Sequence, residues 1–400
     1  MNNASAYVLG ESATRLWGLT ARQRIARQIS EVDGVTLVDD PEALSADKTT
    51  LLLRADFLFE TRTLAALARE SNTLLVPPDV TEAAAAVADP AHLQTALGVL
   101  EGKEPIGAGG LSAMNPSELQ AFDQKLRRSE PPLLEQVSEG RRQALEDRLY
   151  GNSYKGITDL VTKWLWPRPA RAGVRFCTLL GITPNAVTGL SLLLMLAACW
   201  LFWRAEYGLG LALGWFMTYL DTVDGKLARV TVTSSRIGHV MDHGMDVIHP
   251  PFWYVFWGLS LIGFSPVFGL DQNALCWIVV AGYWLGRVVE GAFELFLGCE
   301  MFSWRPLDAW FRLITARRNP CLILLTAGYA LGRPDWGFVA VVGWTALTSA
   351  LLVLRLAYAV LVRFRSGPLR SWLSDADQAR RCHPFSYRTF SGTRAAYGGA

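Results

Sequence analysis

Four aspartates lie close together in DTVDGKLARVTVTSSRIGHVMDHGMD, at Asp221, Asp224, Asp242 and Asp246, within some of the most apolar sequence of the chain. On a helix, Asp221 and Asp224 share one face, and Asp242 and Asp246 share another. The short connection containing SSRIG makes the two helices neighbours and lets the four carboxylates converge. Such a cluster cannot stay ionised at the edge of hydrocarbon without compensating positive charge. Hard divalent cations supply it: Mg²⁺ or Mn²⁺ takes carboxylate oxygens and leaves positions open for phosphate. Two metals held by shared carboxylates would clamp an in-line displacement at phosphorus. Gly225 and Ala228 leave bare backbone where a flat ligand can approach. Arg229 offers a forked donor to phosphate oxygens, and Gly238 clears the facing helix. The plainer reading is that Lys226, Arg229 and Arg236 merely neutralise helix-end acids. It explains one pair better than two pairs in register with Gly, Ala, Arg and Gly.

The elements that must carry these residues are membrane helices. The chain has 400 residues, 51% of them hydrophobic, and 15 tryptophans, which points to a membrane protein. Residues 1–150 hold 15 basic against 22 acidic side chains, whereas the remainder is net basic and carries every tryptophan but Trp17. An acidic domain, residues 1–115, is therefore expected before a basic, Trp-rich membrane domain, residues 154–365. A charged helical connector, residues 116–153, would join them, and residues 366–400 read as a flexible cytoplasmic tail. Apolar segments recur near 186–203, 207–224, 244–264, 274–298, 319–332 and 336–362. The positive-inside bias of their connections supports six transmembrane helices with both ends cytoplasmic. YKGITDLVTKWLWPRPARAGVRF, basic and bearing Trp164 and Trp166, reads as a juxtamembrane amphipathic helix at an anionic leaflet. The start of the chain shows no basic n-region before an apolar core, so the first domain should remain cytoplasmic. Six scattered cysteines suggest neither zinc nor disulfides.

The pattern D-x2-D-G-x2-A-R-x8-G-x3-D-x3-D resembles, at every fixed position, the signature of the CDP-alcohol phosphotransferase family. The resemblance covers roughly residues 154–362. It implies two divalent cations held by Asp221, Asp224, Asp242 and Asp246, with Asp246 also the general base. It implies a CDP-linked donor contacted by Gly225, Ala228, Arg229 and Gly238, an alcohol acceptor, CMP as leaving group, and a homodimer. TPNAVT, Thr183–Thr188, resembles the family's entry into its first helix, which makes Asn185 and Thr188 further donor-site candidates. By itself, the same stretch reads equally well as a helix cap with proline at the first helical position.

Arg287, Glu290 and Glu294 form one stripe of the fourth apolar segment. This stripe is either a structural ion pair or, through Arg287 with Arg317 and Arg318, an acceptor-phosphate pocket. His243 and His249 flank the aspartates and read as packed rather than catalytic, and Pro250–Pro251 should bend their helix.

In the first domain, AYVLG, GVTLVD, TTLLLRADFLF and NTLLVP read as strands, and ARQRIARQIS, RTLAALARE and TEAAAAVADPAHLQTALGVL as helices. Together they suggest an α/β layer with a largely parallel sheet. VLGESATRL and LLLRADFLF resemble a degenerate sugar-phosphate nucleotidyltransferase loop and metal-binding strand, with Gly10, Arg15 and Asp56 at the matching positions. The fusion resembles the bifunctional inositol-phosphate cytidylyltransferase/phosphotransferase architecture. The loop lacks its second glycine and the expected lysine, so a regulatory or dimer-stabilising remnant is expected rather than an active transferase.

The expected protein is an α-helical integral membrane enzyme of the cytoplasmic (inner) membrane, preceded by a small cytoplasmic α/β domain. It would move a phosphoalcohol or phosphatidyl group in polar-lipid synthesis, from CDP-diacylglycerol or from a CDP-polyol. Its partners are the donor, the acceptor, the bilayer and a second copy, with no nucleic acid. Two alternatives are an enzyme that also makes its own CDP-polyol and a six-helix cation transporter. The transporter predicts acids near the bilayer midplane and internal repeats, neither of which the sequence displays.

Overall fold

A computed structural model of the chain describes residues 4–40, 44, 48–78, 80–118, 122–123, 128–129, 132–233 and 236–392. The side chains of residues 117, 122–123, 128–129, 236–243 and 246 stand outside that description. The chain divides into two compact units, residues 1–153 with 229–233, and residues 154–228 with 234–400.

The first unit is an α/β domain. Its strands are β1 (Ala4–Leu9), β2 (Val35–Val38), β3 (Thr50–Arg54), β4 (Phe57–Leu58), β5 (Thr73–Leu75), β6 (Ala85–Ala88), β7 (Ser112–Met114), β8 (Phe122–Asp123), β9 (Arg128–Ser129) and β10 (Glu135–Gln136). Its helices are α1 (Ala21–Ile29), α2 (Thr61–Leu67), α3 (Leu93–Leu100) and α4 (Arg142–Asn152). The six-stranded sheet has the order β2-β1-β3-β6-β5-β7. Strand β6 runs antiparallel to both neighbours, so the sheet is mixed rather than largely parallel.

Two expectations fail in this unit. The segment from Thr81 to Leu100 is not one helix. Its alanines form the central strand β6, fully buried, and the helix begins only at Leu93, beyond Pro90. Burial on both faces of a sheet overrides the helix propensity of alanine, which is a weak local preference. Nor is 116–153 a solvated helical connector. Among the described residues of this stretch, only Arg142–Asn152 is a regular α-helix of useful length, while β10 pairs with β4 and Leu133, Leu134, Val137 and Leu145 are buried. These apolar side chains find a ready partner surface on the domain, and the first unit therefore runs to Ser153.

The second unit is helical. It comprises α5 (Pro167–Leu180), α6 (Pro184–Trp203), α7 (Tyr207–Val230, whose last two residues group with the first unit), α8 (Arg236–Leu259), α9 (Gln272–Leu297), α10 (Pro306–Ile314), α11 (Arg318–Ala330), α12 (Pro334–Ser366), α13 (Ala376–Cys382) and α14 (Pro384–Phe390). Each of the six apolar segments is a helix. Among the described residues, three of them, α6, α9 and α12, are long and apolar enough to cross a membrane. Helix α11, with 13 residues, spans only ~20 Å at 1.5 Å per residue, less than the hydrocarbon core.

Tight crossings hold the bundle together. A Cβ built on Gly328 of α11 would meet Cα of Gly337 on α12 at 2.5 Å, so glycine is needed there for the two backbones to approach. Trp253, Trp257, Phe202 and Phe338 fill the core between helices. Pro250 and Pro251 do not end α8, which continues to Leu259.

Residues 366–392 are not a loose tail. Trp310 of α10 stacks on Phe385 with centroids 5.4 Å apart, meets Phe390 edge-on, and donates from Nε1 to Ser386 Oγ. Phe390 and Leu373 are fully buried. The aromatic side chains of this segment provide the anchoring that its Gly- and Ser-rich end conceals. Residues 393–400 lie outside the described residues.

Candidate active site

The first aspartate pair sits near the C-terminal end of α7. Asp224 is buried at 4% exposure, and Thr188 Oγ1 of α6 donates to its Oδ2 at 2.7 Å. Thr188 stands one turn into α6, where its hydroxyl also lies 3.1 Å from Pro184 O. The start of that helix is fixed as the sequence suggests. Thr183 caps it, accepting from Ala186 N at 3.3 Å, and Pro184 occupies the first helical position.

Asp221, one turn before Asp224 on α7, forms an ion pair with Arg318, whose Nη2 donates to Asp221 Oδ2 at 2.6 Å. Both side chains are largely buried. Arg318 opens α11, so an arginine almost a hundred residues distant reaches the aspartate pair. Charge-assisted bonds between partly buried groups are the strong kind.

Asp242 and Asp246 lie on the backbone of α8, one turn apart; their side chains, like that of His243, lie outside the described residues, and so does the proposed packing role of Gly238. Among the described residues, no three His, Cys, Asp or Glu side chains gather as a metal site. The described oxygens, two carboxylates one helical turn apart beside the Thr188 hydroxyl, are hard ligands of the kind Mg²⁺ or Mn²⁺ takes, while the Arg318 guanidinium is the cation that pairs with Asp221 here.

Residues 181–297 match the family model described as CDP-alcohol phosphatidyltransferase. This segment is a CDP-alcohol phosphatidyltransferase domain. It covers α6 to α9 and contains all four aspartates. A search of curated proteins finds no match to the chain. The family supports a transferase that takes a phosphoalcohol group from a CDP-alcohol.

The remaining sequence-predicted residues fall around this CDP-alcohol phosphatidyltransferase domain as follows. Gly225 and Ala228 are half-buried on α7, and Arg229, exposed, donates to Ser153 O at 3.2 Å within the first unit. Lys226 is buried with Nζ 3.5 Å from the ring centroid of Tyr154, a cation–π contact. Asn185 is exposed at the start of α6. His249 is buried; its Nδ1 lies 2.5 Å from Met245 O and its ring packs edge-on against Trp253. The packed-histidine reading fits this environment.

The structure does not bring Arg287, Arg317 and Arg318 together as one phosphate pocket. Arg287 and Arg317 both donate to the carboxylate of Glu290, one to each oxygen, whereas Arg318 serves Asp221. One carboxylate shared by two guanidiniums offsets one of their two charges, an ion-pair arrangement of the kind the structural reading of the stripe describes.

Sequence reasoning missed Asp159. It is buried just before the single π-turn Val161–Leu165, where its Oδ1 accepts from the backbone N of Val161 and Thr162 and from Asn319 Nδ2, at 3.1, 3.0 and 2.9 Å. Its Oδ2 accepts from Thr162 Oγ1 at 2.8 Å. Burial works to raise this carboxyl, but the charge of Arg312 and these donors hold it below the usual aspartate range. An aspartate just ahead of a helical turn was the available signal, and it reads as a cap.

In the first unit, Gly10 follows β1 in the left-handed conformation (φ +72°), while Arg15 donates to Gly18 O. Asp56 lies just past β3, so the two candidate phosphate-site segments leave the same end of neighbouring parallel strands. Asp56, however, is held by Arg54 through two hydrogen bonds, at 3.0 and 2.7 Å, and by Gln136. Burial works to raise its pKa, but Arg54 keeps it below the ordinary value, as a locked ion pair does. The loop between Gly10 and Thr20 is tied to α4: Trp17 donates from its backbone N and from Nε1 to Glu146.

Proposed function

We propose that the chain catalyses metal-dependent transfer of a phosphoalcohol or phosphatidyl group from a CDP-linked donor to an alcohol acceptor, with release of CMP. The observation that carries this reading is the largely buried Asp221–Asp224 pair of the family-matched segment, which meets Thr188 within that segment and Arg318 beyond it. Asp221, Asp224, Asp242 and Asp246 would hold two divalent cations, which when bound supply positive charge to the donor pyrophosphate and acidify the attacking hydroxyl. Thr188 orients Asp224, and Arg318 offers a guanidinium beside the pair for phosphate oxygens. Gly225 and Ala228 present little side chain where the nucleotide would lie. The acceptor oxygen forms a bond to the donor's β-phosphorus, the bond from that phosphorus to CMP breaks, and Asp246 takes the hydroxyl proton. His249, packed against Trp253 with Nδ1 engaged, is a poor competitor for that role.

The reaction belongs to polar-lipid synthesis in this reading. The enzyme would work as a homodimer in a cytoplasmic membrane, with both ends and the aspartates on the cytoplasmic side, where the basic connections lie. The first domain is read as non-catalytic, since Arg54 and Gln136 occupy the oxygens of Asp56. The test is CMP release by the purified protein against paired CDP donors (CDP-diacylglycerol, CDP-polyols) and alcohol acceptors, with Mg²⁺ or Mn²⁺. Turnover that survives full chelation would remove the metal mechanism, and silence with every pair would remove the transferase reading.

A further inference from the structure

Helix α11 begins with two residues that face different partners. Arg318 reaches Asp221. Its neighbour Asn319 is buried at 4% exposure and donates from Nδ2 to Asp159 Oδ1 at 2.9 Å, with Thr162 Oγ1 3.3 Å away. Asp159 is in turn fixed by two backbone donors of the π-turn and by the Thr162 hydroxyl, with Arg312 as counter-charge. Successive residues on a helix are ~100° apart around its axis, so clamping Asn319 sets the direction in which Arg318 leaves it. A buried carboxylate with this many donors has one rotamer, and it passes that order to the turn it grips. Asp159, Arg318 and Asn319 all lie outside the family-matched segment, residues 181–297.

We infer that Asp159 is a positioning residue for phosphoalcohol transfer: through Asn319 it anchors the first turn of α11 and so holds Arg318 on Asp221. This rests on the transferase reading of the aspartate site. It also gives the segment before the first apolar helix a role in the chemistry rather than only in membrane attachment.

The test uses full-length protein carrying Asp159→Asn, Asn319→Ala, Arg318→Ala, and each of the first two combined with Arg318→Ala. Asp159→Asn removes a charge that Arg312 faces and can fail to fold; Asn319→Ala cuts the same link while keeping the Asp159 charge near Arg312. Either single change should lower kcat ~10- to 100-fold, the scale of a slightly misplaced group, with KM for the CDP donor altered by less than about threefold. Added to Arg318→Ala, neither should cost more, because the residues act as one unit. Losses that multiply with Arg318→Ala would overturn the inference, as would near-normal turnover of Asn319→Ala. So would a variant that melts earlier yet keeps normal kinetics per folded molecule. Amide exchange over residues 318–325, read without substrate, should be faster in Asn319→Ala. If the unaltered chain releases no CMP from any donor, the transferase reading falls by itself, and unchanged exchange there overturns the anchor separately.

Discussion

Replacing Thr188 with valine tests the site at a point where sequence and structure assign different roles. Sequence resemblance makes Thr188 a donor-binding residue, whereas its hydroxyl lies 2.7 Å from Oδ2 of the buried Asp224. The hydroxyl has one proton and two acceptors in reach, Asp224 Oδ2 and Pro184 O at 3.1 Å. The shorter, charge-assisted bond to the carboxylate takes it. Valine keeps the shape and removes the donor. A hydrogen bond to a charged group contributes about 1.5–3 kcal/mol. If the bond keeps Asp224 in its working rotamer, Thr188→Val should lower kcat/KM for CMP release by roughly 10- to 100-fold at 1.4 kcal/mol per decade. The variant should also need more Mn²⁺ for half-maximal rate, and Thr188→Ser should stay close to the parent. A donor KM that rises alone, with kcat and metal dependence unchanged, would place Thr188 on the nucleotide and refute the orienting role. So would a serine variant as poor as the valine one.

Asp221→Asn and Asp224→Asn should each abolish CMP release and weaken Mn²⁺ binding; either variant turning over normally in Mg²⁺ removes the two-metal scheme. Asp246→Asn should lose ~10²–10⁴-fold in turnover, the usual contribution of a general base, while donor binding survives better than in Asp221→Asn. Equal collapse of donor affinity in the two would make Asp246 chiefly a ligand. Full-length protein given CTP and inositol phosphate should release no pyrophosphate, and any release would return the first domain to catalysis. Because the folded pKa of Asp159 is lowered, its stabilisation is complete above the ordinary carboxylate range near pH 4 and is lost as pH falls through the lowered value. Thermal unfolding followed from about pH 6 to pH 3 should therefore show a shallower acid decline in Asp159→Asn than in the parent.

The helical half was legible because its information is local. Apolar runs ending in Gly298 or the Gly332–Arg333–Pro334 break, and the amphipathic run ending in Gly181, give helices whatever their neighbours do. The aspartate spacing was equally legible, since i,i+3 and i,i+4 placement follows from one helix. What failed depended on partners. Ala85–Ala88 has a helical composition and became a strand because β3 and β5 flank it. Leu133, Leu134 and Val137 stood in a charged stretch and packed onto the first domain, and Phe385 and Phe390 turned an expected tail into helices docked on Trp310. Arg318 was named as a site residue but with the wrong partner, since no spacing rule links it to Asp221 across ninety-seven positions.

That pairing bears on how much of the chain surrounds the first aspartate pair. Two largely buried carboxylates one helical turn apart, Asp221 and Asp224, are tolerable only with positive charge or donors at hand. The family-matched segment ends with α9, before the arginine that accompanies Asp221. Arg318 comes from α11, α11 is crossed closely by α12 at Gly328 and Gly337, and its first turn is gripped by Asp159 ahead of α5. A polypeptide cut to residues 181–297 would keep every aspartate of the signature and lose the guanidinium beside Asp221 together with the contacts that aim it. The contacts that reach Asp221 and aim its arginine therefore extend beyond the family-matched segment, from the π-turn before α5 to the first turn of α11.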